Sequence, residues 1–177
     1  MHTEKTNIIL CGFMGSGKTT IGKPLAAELG YSFVDTDQLL VSTFGKTIPQ
    51  MFAEGGEKYF RDQEHAIARI AASMEHTVIS TGGGMMTFER NARVLEETGI
   101  IIYLHQNFSV CYRRISSQPD RPLVKNNTRE DLHQMYTSRI SCYKKYASFT
   151  LENSGSVKKA VHVIIQFLEN GSSLSGS

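Results

Sequence analysis

The run Gly12-Phe13-Met14-Gly15-Ser16-Gly17-Lys18-Thr19 fits the pattern GxxxxGK[ST], and each fixed position in it has a chemical use. Glycines let a backbone bend until successive N–H groups point inward at phosphate oxygens. A helix beginning at the end of the run adds the partial positive charge of its N-terminus. Lys18 can reach the β- and γ-phosphates of a nucleotide, and the Thr19 hydroxyl can bind Mg²⁺. The context fits too, with an apolar strand before the run and a helical pattern after it. Gly15, Ser16, Gly17, Lys18, Thr19 and Thr20 are therefore the candidate phosphate-binding residues. An Asn-Lys-x-Asp guanine motif is missing, since Val124-Lys125-Asn126-Asn127 does not supply one, and a large ATPase needs more chain. A compact kinase or a degenerate relative of one remains.

A kinase also needs an acceptor side. Asp35-Thr36-Asp37 closes the second expected strand. Ligands of open α/β sheets collect beyond the carboxyl ends of the strands, so both carboxylates should face the site. One reading gives Asp35 to the water shell of the metal and Asp37 to an acceptor hydroxyl, as general base or orienting group. The other is a solvated turn with Asp37 capping the next helix, and spacing alone leaves both open. Gly82-Gly83-Gly84 closes the third strand. It offers N–H donors with no side chains between them and a ligand, though a flexible turn is the plainer alternative.

Arginines supply the rest. Arg61 and Glu64 stand at i,i+3 on one helix face. Either they form an ordinary surface ion pair, or Glu64 fixes the guanidinium for a bidentate meeting with a substrate carboxylate. Arg139 follows in Arg139-Ile140-x-x-Tyr143 on another helix. Between them, Arg113-Arg114 leads into a polar stretch, residues 116–128, that contains Arg121-Pro122-Leu123. A loop of that length without its own pattern reads as a lid. Its arginine can arrive on closure and neutralise charge developing on a transferred phosphoryl group.

These residues need a frame to hold them. Short apolar runs at 7–11, 32–35, 77–81, 100–104 and 148–152 alternate with helical patterns, the signature of βαβ units around a buried parallel sheet. In the first helix Ile21, Leu25 and Leu29 recur every fourth residue and Gly30 supplies a left-handed cap, while Pro24 inside it predicts a kink. Thr47-Ile48-Pro49-Gln50 reads as a capping box, followed by a longer helix over 57–72. Thr87 is placed to cap a helix ending before Gly99, and Thr128 one running to about residue 145. Val157, Ala160, Val161, Ile164, Ile165 and Leu168 mark one face of a last helix. Residues 1–169 then form a single α/β domain, and 170–177, almost all Gly and Ser, a disordered tail.

Composition narrows the class. With 177 residues, 40% of them hydrophobic, the chain is long enough for one buried core. A net charge of +2 gives no ground for a nucleic-acid or membrane-surface partner. Cys11, Cys111 and Cys142 are odd in number and show no CxxC spacing, so idle thiols in a reducing compartment are expected. Neither a signal peptide nor a membrane span is apparent, and a cytoplasmic location follows.

The motifs taken together resemble the shikimate kinases across residues 7–168. Gly12-x-x-Gly15-x-Gly17-Lys18-Thr19, Asp35-x-Asp37, Gly56-Glu57-x-x-Phe60-Arg61-x-x-Glu64, Gly82-Gly83-Gly84, Arg121-Pro122-Leu123 and Arg139-x-x-x-Tyr143 occur in that family's order. The first is shared with many enzymes; the Gly-Glu-x-x-Phe-Arg-x-x-Glu element with the triple glycine is far more particular. The resemblance implies a nucleoside-monophosphate-kinase-like, three-layer fold around five parallel strands in order 2-3-1-4-5. It also implies Mg²⁺- and ATP-dependent phosphorylation of the shikimate 3-hydroxyl by a monomer. By position, Asp37, Arg61, Gly82, Gly83, Gly84 and Arg139 resemble the shikimate contacts, with Arg61 and Arg139 on its carboxylate. Arg121 resembles the lid arginine, Arg114 the residue stacking on adenine, and Ser156 belongs to the adenine-lining stretch. The chain departs from the pattern at Asn153-Ser154-Gly155-Ser156, where many relatives carry a proline and a basic or polar side chain. Competing readings are a kinase of another metabolite such as gluconate, and a silent nucleotide-binding regulator. The arginine pair and triple glycine speak against the first, and retention of Lys18, Asp37 and Arg121 against the second.

Overall fold

The computed structural model describes residues 5–118 and 122–172. Strand β1 (Asn7–Cys11) is buried along its whole length and lies at the centre of the sheet. It pairs in parallel with β3 (Thr77–Ser80) on one side and β4 (Gly99–His105) on the other. Outside these lie β2 (Ser32–Asp35) and β5 (Phe149–Glu152), completing the expected order β2-β3-β1-β4-β5. Even the polar start of β1 is satisfied. Buried Asn7 donates to the Met74 carbonyl at 2.6 Å and accepts from the Thr77 N–H at 3.1 Å.

Alternation along β1 divides the core between two faces. Ile9 and Cys11 face the layer built by α3 (Ile48–Ala72), α4 (Glu89–Thr98) and α7 (Arg129–Tyr146). Ile8 and Leu10 face α1 (Lys18–Leu29) and α8 (Val157–Ser172). A third cluster joins Phe13 and Met14 to α5 (Phe108–Ser116) and α7 through Phe108, Cys111, Leu132 and Tyr136. It sits directly beneath the glycine loop.

Local signals hold where the cap lies next to its helix. Gly30 takes the left-handed conformation, and Thr47 and Thr128 form reciprocal capping boxes with Gln50 and Asp131. Helix α1 runs on past Pro24, which is exposed. Three expectations change. Thr87 does not cap α4: it lies in a short 3₁₀ turn, its hydroxyl donating to the Gly84 carbonyl, and Phe88 takes the cap position. Strand β3 ends at Ser80, where Thr81 turns both its N–H and hydroxyl onto the Leu10 carbonyl. The last helix carries Asn170, Gly171 and Ser172 within it, so the tail expected from 170 begins no earlier than 173. Residues 173–177 lie outside the described residues, as does Arg121 of the expected lid. Within that stretch, Pro122–Asn126 forms α6, and Leu123 on it is exposed.

Helix α2 (Thr36–Phe44) leads into α3, which is two helical pieces joined at Gly56 with φ 69° and ψ −167°. That conformation is essentially closed to side chains, and the piece beyond it carries Arg61. Gly56→Ala is expected to lower unfolding free energy by about 1–3 kcal/mol in urea denaturation, although no atom stands within 4 Å of the added Cβ. An unchanged midpoint and slope would show that the joint tolerates other backbone conformations.

Candidate active site

The carboxyl ends of β1, β2 and β3 open onto one cavity of about 570 Å³, with Gly15, Lys18, Thr19 and Thr20 at one end and Asp37, Gly82 and Gly83 at the other. Asp35, Gly17 and Arg114 also line it, while Ser16 is buried under the loop. Lys18 is partly buried, and its ammonium donates to the carbonyls of Gly12 at 2.8 Å and Phe13 at 3.0 Å. Burial lowers its pKa to about 8, against the pull of nearby Asp37 and Asp35, which favour the charged form. Cys11, behind it, is buried and its thiol is pushed up to about 12 by burial; Cys111 is pushed to about 11 for the same reason. Both stay protonated and neutral, as idle thiols should.

Of the readings left open at Asp35-Thr36-Asp37, the geometry removes Asp37 as the cap of α2. Asp35 takes the cap of α2, accepting from the N–H groups of Asp37 at 3.0 Å and Gln38 at 3.2 Å. Its other oxygen accepts from the Thr19 hydroxyl at 3.2 Å. Asp37, on the first turn of α2, is exposed to the cavity and lies against the glycine run. Thr19 and Asp35 offer two hard oxygen donors side by side, suited to an Mg²⁺ ion that keeps waters and takes phosphate oxygens. Among the described residues no cluster of three His, Cys, Asp or Glu side chains could hold a metal unaided.

Each glycine of the run faces a different functional side chain. A Cβ at Gly82 would lie 2.6 Å from Asp37 Oδ1, one at Gly83 3.5 Å from Arg139 Nη1, and one at Gly84 2.9 Å from Arg61 Nη1. Methyl groups at Gly82 and Gly84 would collide with Asp37 and Arg61, whereas one at Gly83 would make ordinary contact with Arg139. The run is not a loose turn, because the Gly82 N–H donates to the buried Thr36 hydroxyl at 2.9 Å and Tyr143 donates its hydroxyl to the Gly83 carbonyl. That spends the Gly82 N–H inside the fold, so any donor the run offers a ligand comes from Gly83 or Gly84.

Arg61 is held on several sides. It donates to Glu64 at 2.8 Å, stands 3.6 Å from Glu57, and places its guanidinium carbon 4.7 Å from the Phe88 ring and 5.1 Å from the Phe60 ring. Glu64 is only 3% exposed. Burial raises its pKa and the Arg61 charge opposes that rise, so the pair is an internal fixture rather than a surface ion pair.

Sequence reasoning missed four supports: Thr36, Phe88, Tyr143 as a clamp, and Asn153. Asn153 follows β5 directly, and its side chain donates to the Ser16 carbonyl at 2.8 Å. Position at a strand's carboxyl end was the available signal. Arg114 donates to the Gly15 carbonyl at 2.8 Å from the cavity wall. Ser156 caps α8 by accepting from the Lys159 N–H, and its neighbours Gly155 and Val157 line the cavity instead.

A phosphate-loop motif and Asp37 open onto one cavity, with Arg61, Arg139 and Gly84 outside its lining, and this arrangement on a sheet of order 2-3-1-4-5 is that of a P-loop kinase. Comparison with known proteins narrows this. The family described as "Shikimate kinase" matches residues 14–169. The chain is 39% identical over 164 residues to the shikimate kinase of Pelotomaculum thermopropionicum, covering 92% of this chain and 95% of that one. Shikimate kinase from Acinetobacter baumannii, solved in complex with shikimate, superposes with a TM-score of 0.88 at 33% identity over 94% of both chains. A gluconokinase from Sinorhizobium meliloti shares the fold alone, with a TM-score of 0.62 at 17% identity over 97% of this chain and 98% of that one. The chain belongs to the shikimate kinase family, and it is an ATP-dependent kinase with an alcohol acceptor.

The depressed pKa of Lys18 has a measurable consequence. Nucleotide phosphates favour the protonated lysine, so binding should be at full strength below pH 8 and weaken as pH rises through the free-protein value of about 8. Above that value ADP must bring a proton with it. Titration calorimetry at alkaline pH, in buffers of different ionisation enthalpy, should show net proton uptake; none would mean that Lys18 is already fully charged before ligand arrives.

Proposed function

We propose that this chain transfers the γ-phosphoryl group of ATP to the 3-hydroxyl of shikimate, giving shikimate 3-phosphate and ADP in the route to chorismate and the aromatic amino acids. The observation that carries the reading is the glycine run, whose three members face Asp37, Arg139 and Arg61 in turn. Two guanidinium groups beside one carboxylate suit an acceptor that is itself a carboxylate bearing hydroxyls. A neutral sugar would leave both arginines without an anion.

Each group then has a task. Arg61 and Arg139 grip the acceptor carboxylate, Arg61 with its fork already oriented by Glu64 and Phe88. The Gly83 and Gly84 backbone lets the ring lie close. Asp37 takes the proton of the attacking hydroxyl as its oxygen bonds to the γ-phosphorus and the bond to the β-phosphate bridge oxygen breaks. Lys18 and the N–H groups of Gly15, Gly17, Thr19 and Thr20 stabilise the phosphate charge, while the Ser16 N–H closes the loop onto the Phe13 carbonyl. Thr19 and, through water, Asp35 would hold an Mg²⁺ ion, which would supply further neutralisation of phosphate charge. Arg114 and Ser156 are assigned to the adenine end, and Arg121, which lies outside the described residues, to the charge on the transferred phosphoryl group. No helix among the described residues is long and apolar enough to cross a membrane.

ADP release from ATP and Mg²⁺ is expected with shikimate as sole acceptor, and none above background with gluconate; the reverse pattern would replace the acceptor. Asp37→Asn should cut that turnover by about 10²–10⁴-fold while ADP affinity stays within a few-fold of the parent. Near-parental turnover would remove Asp37 from proton transfer.

Arg61→Lys keeps the charge and loses the planar fork that Glu64 and Phe88 hold. Shikimate affinity is expected to fall by about 1.5–3 kcal/mol, the worth of a charge-assisted hydrogen bond. Equal affinity in parent and variant, measured by titration, would move the carboxylate elsewhere in the pocket.

A further inference from the structure

Within one peptide unit the C=O and N–H point in opposite directions, so a loop aims N–H groups inward only when its carbonyls are accommodated outside. Side chains take up four carbonyls of the phosphate loop. Lys18 holds those of Gly12 and Phe13, Arg114 that of Gly15, and Asn153 that of Ser16. These holds differ in kind. Lys18 has to turn towards phosphate when nucleotide enters, and Arg114 is a long, exposed side chain on α5. Asn153 is short, 9% exposed, and packed so closely that a Cβ at Gly17 would lie 2.9 Å from its Nδ2.

Asn153 is itself anchored at both ends of its backbone. Its N–H donates to the His105 carbonyl at 2.8 Å, and its carbonyl accepts from the Gln106 side-chain amide. Gln106 is fixed in turn by the Tyr136 hydroxyl, which donates to its carbonyl at 2.8 Å, and by the Asn107 N–H on its side-chain oxygen at 3.0 Å. The side chain that meets the loop is thus tied to the end of β4 rather than to a mobile segment. It also borders the cavity.

We infer that Asn153 is a positioning residue for the nucleotide: it locks the Ser16–Gly17 peptide so that the Gly17 N–H points at the phosphates before they arrive. The inference rests on the phosphate loop being the nucleotide site, as in the proposed function. It gives a role to the stretch where this sequence departs from the family pattern.

The test compares the full-length parent with Asn153→Ala and Asn153→Asp, by ADP titration and thermal melting. Asn153→Ala should melt cooperatively and bind ADP about tenfold more weakly, roughly the value of one buried hydrogen bond. Asn153→Asp places a carboxylate oxygen against the Ser16 carbonyl, so two acceptors face each other and binding should weaken further. That variant should recover relative to the parent as pH falls towards about 5, where a protonated carboxyl can donate again. A purely structural tie between β5 and the loop has no such pH signature. Unchanged ADP affinity in Asn153→Ala overturns the inference, and so does loss of cooperative melting in both variants. Because the readout is ADP affinity alone, failure of the parent to phosphorylate shikimate would sink the proposed function and leave this comparison intact.

Discussion

Strand β1 is hydrogen-bonded in register on both sides, with Ile9 opposite Ile79 on β3 and Ile101 on β4, and every one of its residues is buried. Moving it would break two ladders and open both faces of the core at once. The glycine loop therefore leaves the sheet from its least movable point. Phosphate charge is then stabilised by N–H groups and an ammonium already in place, which is where fixed dipoles act most strongly. The cost falls on Lys18, whose charge is disfavoured by burial until phosphate arrives. A site that binds anions is thus kept slightly unfavourable when empty.

The acceptor end follows a different logic. Arg61 and Glu64 form a pair with the carboxylate almost wholly buried, and such pairs contribute little net stability because desolvation offsets the attraction. What the pair supplies is direction. With Glu64 on one edge and the Phe60 and Phe88 rings near the guanidinium, the orientation is set before any ligand is present. Less rotamer freedom then remains to be lost on binding. Helix α3 carries this arrangement on the piece beyond its break at Gly56.

Features encoded within a few residues were legible in the sequence. The phosphate loop, the caps at Gly30, Thr47 and Thr128, and the five strands all follow from local pattern, and the chain folds accordingly. Thr87 shows the limit: a good capping residue by type, it spends its hydroxyl on Gly84 because the glycine run turns there first. Asp35 and Asp37 show another. Both are good capping residues by type, but α2 starts at Thr36, so Asp35 caps it with one oxygen while the other meets Thr19, sixteen residues earlier in the chain. The sheet order came from family resemblance, since periodicity does not say which strands are neighbours. Asn153 and Phe88 escaped because their partners, Ser16 and Arg61, meet them only in the folded chain.

Phosphoryl transfer requires donor and acceptor at a fixed separation, and here backbone rather than side-chain reach sets it. Leu10 on β1 pairs with Ser80 on β3, and the Leu10 carbonyl then takes both donors of Thr81. The sheet registry thus extends to the last residues before the phosphate loop on one strand and the glycine run on the other. Beyond it the two loops touch: a Cβ at Gly83 would lie 3.5 Å from Met14 Cγ and 3.7 Å from the Met14 nitrogen. Gly83 is therefore pressed between the phosphate loop and Arg139, with Tyr143 holding its carbonyl. A Cβ at that position would meet Met14 and Arg139 at ordinary van der Waals distance, so the two loops are already at contact distance there. That closeness is what in-line transfer between substrates bound at the proposed phosphate and acceptor ends requires.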